Sequence, residues 1–329
     1  MPNRKDKIEA RLTGLRSALE TAAPDALQET LTDALRDPHC RILTLAAEAV
    51  AERLLYALEC KLILAFERLA ELPPTKDPQC MAKSALARAL VTLDCSDVGF
   101  YLRGMHLRQL EPVWGGSLDT AVDIRLSCAA GLVATSFARA LPELALLLGD
   151  AEPQVRSGVT AAIACAEPIA AEAVLRAKAV AGDAEPEVTG ACLSALLQVA
   201  PETSVDFVDR FLNTVGTAEH ELAALALGES RLDRALDALK ARWDSALYKG
   251  AAEQHLLRGA VLHRSQAAFD WLVSIIAEGE PRHAESLVRD LAIYRSNERL
   301  LTQVRATVSN RADKDLAAAF ERYWIGSRH

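Results

Sequence analysis

Three groups of side chains in this sequence could do chemistry. The first is the stretch FYLRGMHLRQLEPVWGG, Phe100–Gly116. Its Tyr101, Arg103, His106, Arg108, Glu111 and Trp114 supply hydrogen-bond donors, a titratable imidazole and a flat stacking surface, the equipment of a binding site. The second is the histidines. His220-Glu221 is the one His-Glu dipeptide; His283 and Glu285 are two apart, and His255 follows Glu253 across Gln254. No tight His or Cys cluster with metal-ligand spacing accompanies them, so no metal site is assigned. The third is the seven cysteines, Cys40, Cys60, Cys80, Cys95, Cys128, Cys165 and Cys192. Their number is odd and no Cys-x-x-Cys occurs, so they read as reduced, buried thiols of a cytoplasmic protein. There is no Gly-rich phosphate loop, no Gly-x-Ser-x-Gly and no His-Glu-x-x-His. No catalytic residue and no cofactor is assigned.

The elements that must position these groups are helices. Half of the chain is apolar but only 5% is aromatic. Ala and Leu dominate, the residues that pay least to enter a helix. Acidic residues outnumber basic ones, 45 to 37, for a formal charge of −8. That balance argues against a nucleic-acid partner, which needs surplus Lys and Arg. The charged start MPNRKDKIEARL lacks the apolar run of a signal peptide. LLYALECKLILAFERLAEL comes nearest to a membrane span, but Glu59, Lys61, Glu67 and Arg68 interrupt it.

The prolines show a repeat. Pro153 to Pro186 and Pro168 to Pro201 are both 33 residues, and Pro suits the first turn of a helix. Two helices per 33 residues is the signature of a solenoid. Val155, Val159, Ala162, Ile163 and Ala166 form one helical stripe; Val188, Cys192, Ala195, Leu196 and Val199 repeat it, and Ile124, Cys128, Gly131, Leu132 and Thr135 give a weaker copy. Val205, Val208, Phe211, Leu212 and Val215 form the stripe of a second helix. Further helices are expected near 219–229, 231–244, 251–263, 266–278, 282–294, 297–309 and 312–325. His39–Leu72 has no Gly or Pro and holds one long helix or two with a tight joint. ELPPTKDP is a loop between units of one array.

LLLGDAEPQVRSGVTAAIA resembles a HEAT repeat of the short type first described in phycobilisome-lyase-like proteins, with Asp, then Pro, then Val-Arg, then spaced small residues. DPHCR, DTAVDIR and GDAEPEV are weaker matches, and the resemblance covers roughly residues 30–295. It implies an all-α, right-handed α-solenoid of about seven to nine helical pairs. It says little of function, because such arrays host many activities. HEAT-like deoxyhypusine hydroxylases hold two irons through several His-Glu pairs; only one such dipeptide, His220-Glu221, occurs here, so the repeated set is absent. HEAT-like DNA glycosylases need a basic groove, which the charge of this chain disfavours. A bilin lyase or chaperone acting on a partner protein is the alternative that the repeat type implies, although no catalytic motif carries across.

Within the repeat, Asp37, Asp119 and Asp150 precede Arg41, Arg125 and Arg156 at equivalent positions. Recurrence with the repeat marks them as a structural ladder between neighbouring units. Val122 lies 44 residues beyond Pro78 in the same register, about eleven more than the period. The excess places an insertion near 97–118, and insertions in solenoids gather on one face, often the binding face. A short helix carrying Arg103 and His106 is expected there. The organisation expected is a cap over 1–36, the array over 37–295 and a second cap over 296–329. The function expected is a non-enzymatic scaffold with a protein partner on its concave face and around the insertion. The oligomeric state stays open.

Overall fold

A computed structural model describes residues 4–326; Met1–Asn3 of the charged start and the last three residues of the expected C-terminal cap lie outside them. Two compact units divide at Glu167 and Pro168. The first holds α1 (Arg4–Thr21), α2 (Pro24–Leu35), α3 (Cys40–Glu52), α4 (Glu59–Ala70), α5 (Met81–Thr92) and α6 (Val98–Met105). A hairpin of β1 (Leu110–Val113) and β2 (Gly116–Asp119) follows, then α7 (Val122–Ala134), α8 (Ala140–Leu147) and α9 (Pro153–Ala164). The second holds α10 (Pro168–Ala181), α11 (Pro186–Val199), α12 (Pro201–Asp209), α13 (Ala218–Ser230), α14 (Asp233–Ser245) and α15 (Gln254–His263). It ends with α16 (Gln266–Glu278), α17 (Pro281–Leu291), α18 (Glu298–Arg311) and α19 (Lys314–Phe320), the last running into a π-helical turn at Glu321–Ile325.

Of the nineteen helices of the described residues, the first unit holds nine and the second ten. Odd-numbered helices stack on one another within each unit, α1 to α9 and α11 to α19. Among the even-numbered ones α2 meets α4, α12 meets α14 and α16 meets α18. This is the two-layer, all-α architecture of a helical repeat. No helix of the described residues is long and apolar enough to cross a membrane.

The local chemistry explains the elements. Pro opens α2, α9, α10, α11, α12 and α17, where its missing N–H costs no bond. Side chains of Asp97, Thr217, Ser265, Asn297 and Asp313 accept from first-turn N–H groups and start α6, α13, α16, α18 and α19. His39–Leu72 holds two helices, and Leu54 with φ +50° makes the joint. The stripes face inward: Val155, Val159, Ile163, Val188, Cys192 and Leu196 are fully buried. At the end of the second-helix stripe the chain turns away: α12 stops at Asp209, and Val215 is exposed.

The thiols divide. Cys80, Cys95, Cys128 and Cys192 are buried, Cys40 is half-buried, and Cys60 and Cys165 are exposed, contrary to the expectation that all seven are core residues. None forms a disulfide. Burial pushes Cys80 and Cys95 up to about 11 and Cys128 and Cys192 up to about 12. These thiols carry no nucleophilic charge near neutrality.

An arginine series invisible in the sequence ties the even-numbered helices. Arg68 donates to the carbonyl of Leu35, Arg242 to that of Asp209 and Arg311 to that of Ile276, spacings of 33, 33 and 35 residues. Each satisfies carbonyls in the last turn of the preceding second helix, where a cation also suits the helix dipole. On the other layer α13 and α15 cross closely, and a Cβ on Gly228 would run into the Gly259 backbone. Gly228→Ala should therefore force the two helices apart and cost about 1–3 kcal/mol. A thermal melt beside wild type checks this; an unchanged midpoint would show the crossing to be looser.

Candidate functional site

The residues beyond the 33-residue period build the β-hairpin, which a helical pattern does not anticipate. Leu110 pairs with Asp119, Glu111 with Leu118, Pro112 with Ser117 and Val113 with Gly116. Trp114 and Gly115 form the turn, and Gly115 at φ +87° takes the position that excludes side chains. The Thr120 N–H donates to the Gln109 carbonyl (2.9 Å), which makes that couple a hydrogen-bonded one. By alternation the Pro112 nitrogen faces outward, so proline breaks no bond of the ladder.

A two-stranded hairpin is marginal alone in water; here buried charge anchors it. Arg125 of α7 is fully buried. Its Nη1 lies 2.7 Å from Asp119 Oδ2 and donates to the Leu107 carbonyl (2.8 Å), and its Nε lies 3.3 Å from Asp150 Oδ2. Arg108 reaches Asp150 at 2.6 Å. Asp119 also accepts from the Gln109 and Ala121 N–H groups, at 3.1 and 3.0 Å. Burial raises its carboxyl, but these bonds and the Arg125 charge outweigh that and hold it below its ordinary value.

A second polar cluster supports the other side of the neck. Lys83 of α5 is buried; its Nζ lies 2.5 Å from Gln109 Oε1 and 3.6 Å from Asp77 Oδ2. Gln109 donates to the Asp77 carbonyl and to Glu111 Oε1, both at 2.8 Å. Glu111 Oε1 also accepts from Thr120 Oγ1 (2.8 Å) and from the Gln79 N–H (2.6 Å). Burial raises the Glu111 carboxyl, while the bonds from Gln109, Thr120 and Gln79 prevail and lower it. Gln79 and Cys80 both lie in the left-handed region, at φ +58° and +52°, and the Glu111 bond holds that strained turn. Asp77, Lys83, Gln109 and Thr120 escape a reading by motif. The signal for Lys83 is its place on the stripe Leu86, Ala87 and Leu90; for the hairpin it is Gly115-Gly116 between extended residues.

The six residues expected to form one surface do not. Tyr101 is buried, its ring covering the bare backbone of Gly131, so it is unavailable to a partner. Arg103 pairs with Glu67 at 2.6 Å on the surface. His106 caps the end of α6 and is exposed. Arg108 and Glu111 belong to the anchor just described. Trp114 stands fully in solvent at the turn, 103% exposed; Val113 and Leu118 are exposed on one face of the hairpin, and Leu110 is exposed on the other face at the neck.

The ladder residues also part company. Arg125 links Asp119 of its own helical repeat to Asp150 of the following repeat, both within the first unit. Arg156 instead donates to the carbonyls of Asp150 and Ala151, at 2.8 and 3.0 Å. Asp37 and Arg41 are not a pair: Asp37 meets Arg11, and Arg41 meets Glu9 at 2.6 Å, because α1 lies across that turn.

In the second unit, His220 is buried rather than solvated, since the first turn of α13 faces inward. Burial, then the nearby His255, pushes its imidazole down. Its ring centroid lies 6.1 Å from that of His255, whose Nδ1 is 3.2 Å from Glu221 Oε1. His283 is buried edge-on to Trp243 at 5.0 Å, and burial and then Arg282 lower it. Among the described residues no three His, Cys, Asp or Glu stand together as a metal site.

No protein-family model and no curated protein sequence matches the chain. Two of the solved structures that the chain matches are these. The complex of CpcE and CpcF of phycocyanin lyase from Nostoc sp. PCC7120 is 16% identical, with TM-score 0.43, over 82% of this chain and 96% of that one. An engineered protein from the Northeast Structural Genomics Consortium is 13% identical, with TM-score 0.37, over 97% of this chain and 95% of that one.

Arg125→Met should leave Asp119 and Asp150 buried without their central cation and cost about 3–5 kcal/mol, read by denaturant unfolding. A lowered carboxyl stabilises above its unfolded value of about 3.9 and loses that contribution as pH falls through the folded value. Wild-type stability should thus drop steeply below about pH 4, and Asp119→Asn should flatten that limb. Parallel acid limbs would remove Asp119 from the balance.

Proposed function

We propose that the chain is a non-enzymatic binding module that holds a protein partner on the hairpin tip. The observation that carries this reading is the contrast between the two ends of the hairpin. Its neck is locked by buried charges, while Val113, Trp114 and Leu118 towards its turn are exposed to solvent. Exposed apolar side chains grouped on a rigid support mark interaction sites, and Trp is the residue type most often dominant in them. The functional groups of the anchor are consumed by structural hydrogen bonds, which supports binding over bond chemistry.

A second surface of the same kind lies in the second unit. Val180 of α10, Phe207 of α12 and Phe211 line a cleft of about 400 Å³. Val180 and Phe207 lie on second helices, the layer expected to face a partner, and Phe211 lies in the turn after α12.

Photo-crosslinking from position 114 in the native cell should trap one major protein. Trp114→Ala with Leu118→Ser should weaken recovery of that protein more than about tenfold and leave the melting temperature unchanged. Equal recovery from both forms would sink the reading. A new absorbance band on adding a free tetrapyrrole would instead assign the lyase-like alternative to this module.

A further inference from the structure

The first unit carries a cleft far more basic than the chain as a whole. It lies between α1, the start of α3 and the turn before α5, with a volume of about 870 Å³. Lys7 and Arg11 of α1, His39 and Cys40 at α3, and Thr75 and Lys76 of the turn supply its polar lining. The rest of the lining is proline and aliphatic, and no carboxylate is among it. This is unexpected in a chain with a net charge of −8.

Two acids next to the lining residues are already occupied. Asp37 is buried and spent on Arg11 and on the His39 N–H (2.8 Å). Asp77 is buried and accepts from the Ala82 and Lys83 N–H groups, at 2.8 and 3.0 Å, beside the Lys83 ammonium. Lys7 and Lys76 form no ion pair among the described residues. Two ammonium groups thus line one concave site whose lining holds no carboxylate.

We propose that this cleft binds a phosphate group carrying two negative charges, a phosphate monoester or a diphosphate. Two unneutralised ammoniums match a dianion, whereas a carboxylate brings one charge. A phosphate monoester is mostly dianionic at neutral pH, its second pKa being about 6. Lysine serves as a compact point charge here and needs no fixed fork geometry. The Thr75 hydroxyl adds a neutral donor, and the partly apolar walls reduce screening by water.

Calorimetric titration of the full chain with sodium pyrophosphate tests the proposal. The expected dissociation constant is on the order of 0.1–1 mM, weakening as sodium chloride is raised. Lys7→Gln with Lys76→Gln should weaken it by about tenfold or more. Both lysines are exposed, so the double variant should melt as wild type does. Lys314→Gln in the other unit should leave binding unchanged. A parallel titration with ADP separates the sources: tighter binding than pyrophosphate assigns a nucleotide, and equal binding assigns the phosphates alone. Absence of heat with pyrophosphate, or equal affinity in wild type and double variant, overturns the proposal.

Discussion

The first unit depends on one guanidinium. Arg125 has no contact with water, and a buried cation is tolerable only when charge and hydrogen-bond partners surround it. Here the partners come from separate places: Asp119 from the base of the hairpin, Asp150 from the turn before α9 and the Leu107 carbonyl from the end of α6. Satisfying the charge therefore sets the position of the hairpin, of α6 and of the next repeat at once. A hydrophobic contact would hold the same parts together with less demand on direction. The ionic centre adds that demand, and the hairpin stays upright because of it.

The helical layers obey a different constraint, which is close approach. Gly228 and Gly259 let two first-layer helices touch through their backbones, and Gly131 admits the ring of Tyr101. Between the second-layer helices, Arg68, Arg242 and Arg311 bind last-turn carbonyls one repeat back. Small residues set spacing, and arginines satisfy ends that stacking alone leaves open. Neither device requires a large core residue, which fits a chain that is rich in Ala and poor in aromatics.

Function is then read from what structural duty leaves over. The carboxylates and cations of the hairpin neck are consumed by holding it, while Trp114 at its turn is left fully exposed. The same test separates Lys7 and Lys76 from the other cations discussed: they line a cleft and form no ion pair among the described residues. The two surfaces differ in chemistry, one apolar and projecting, the other basic and recessed.

The helices, their order and their inward faces were legible from residue order alone. Periodicity and proline position are local properties, and a stripe such as Val188, Cys192 and Leu196 has one stable place, against another helix. The length of the insertion was legible for the same reason, as an offset from a period. Its shape was not, because LEPVWGGSLD is too short to declare a strand against a helical background. The partners of charged residues were also beyond reach. Asp37 and Arg41 occupy the repeat positions of Asp119 and Arg125, yet only the second pair forms, since α1 offers nearer partners to the first. Tyr101 and Trp114 look alike in sequence, and packing buries one and exposes the other. Sequence alone determined which residues form helices and which face of each is apolar, because neighbours along the chain decide that. Tertiary structure alone decided which polar groups meet and which are left to solvent, because that depends on distances between segments far apart in the chain.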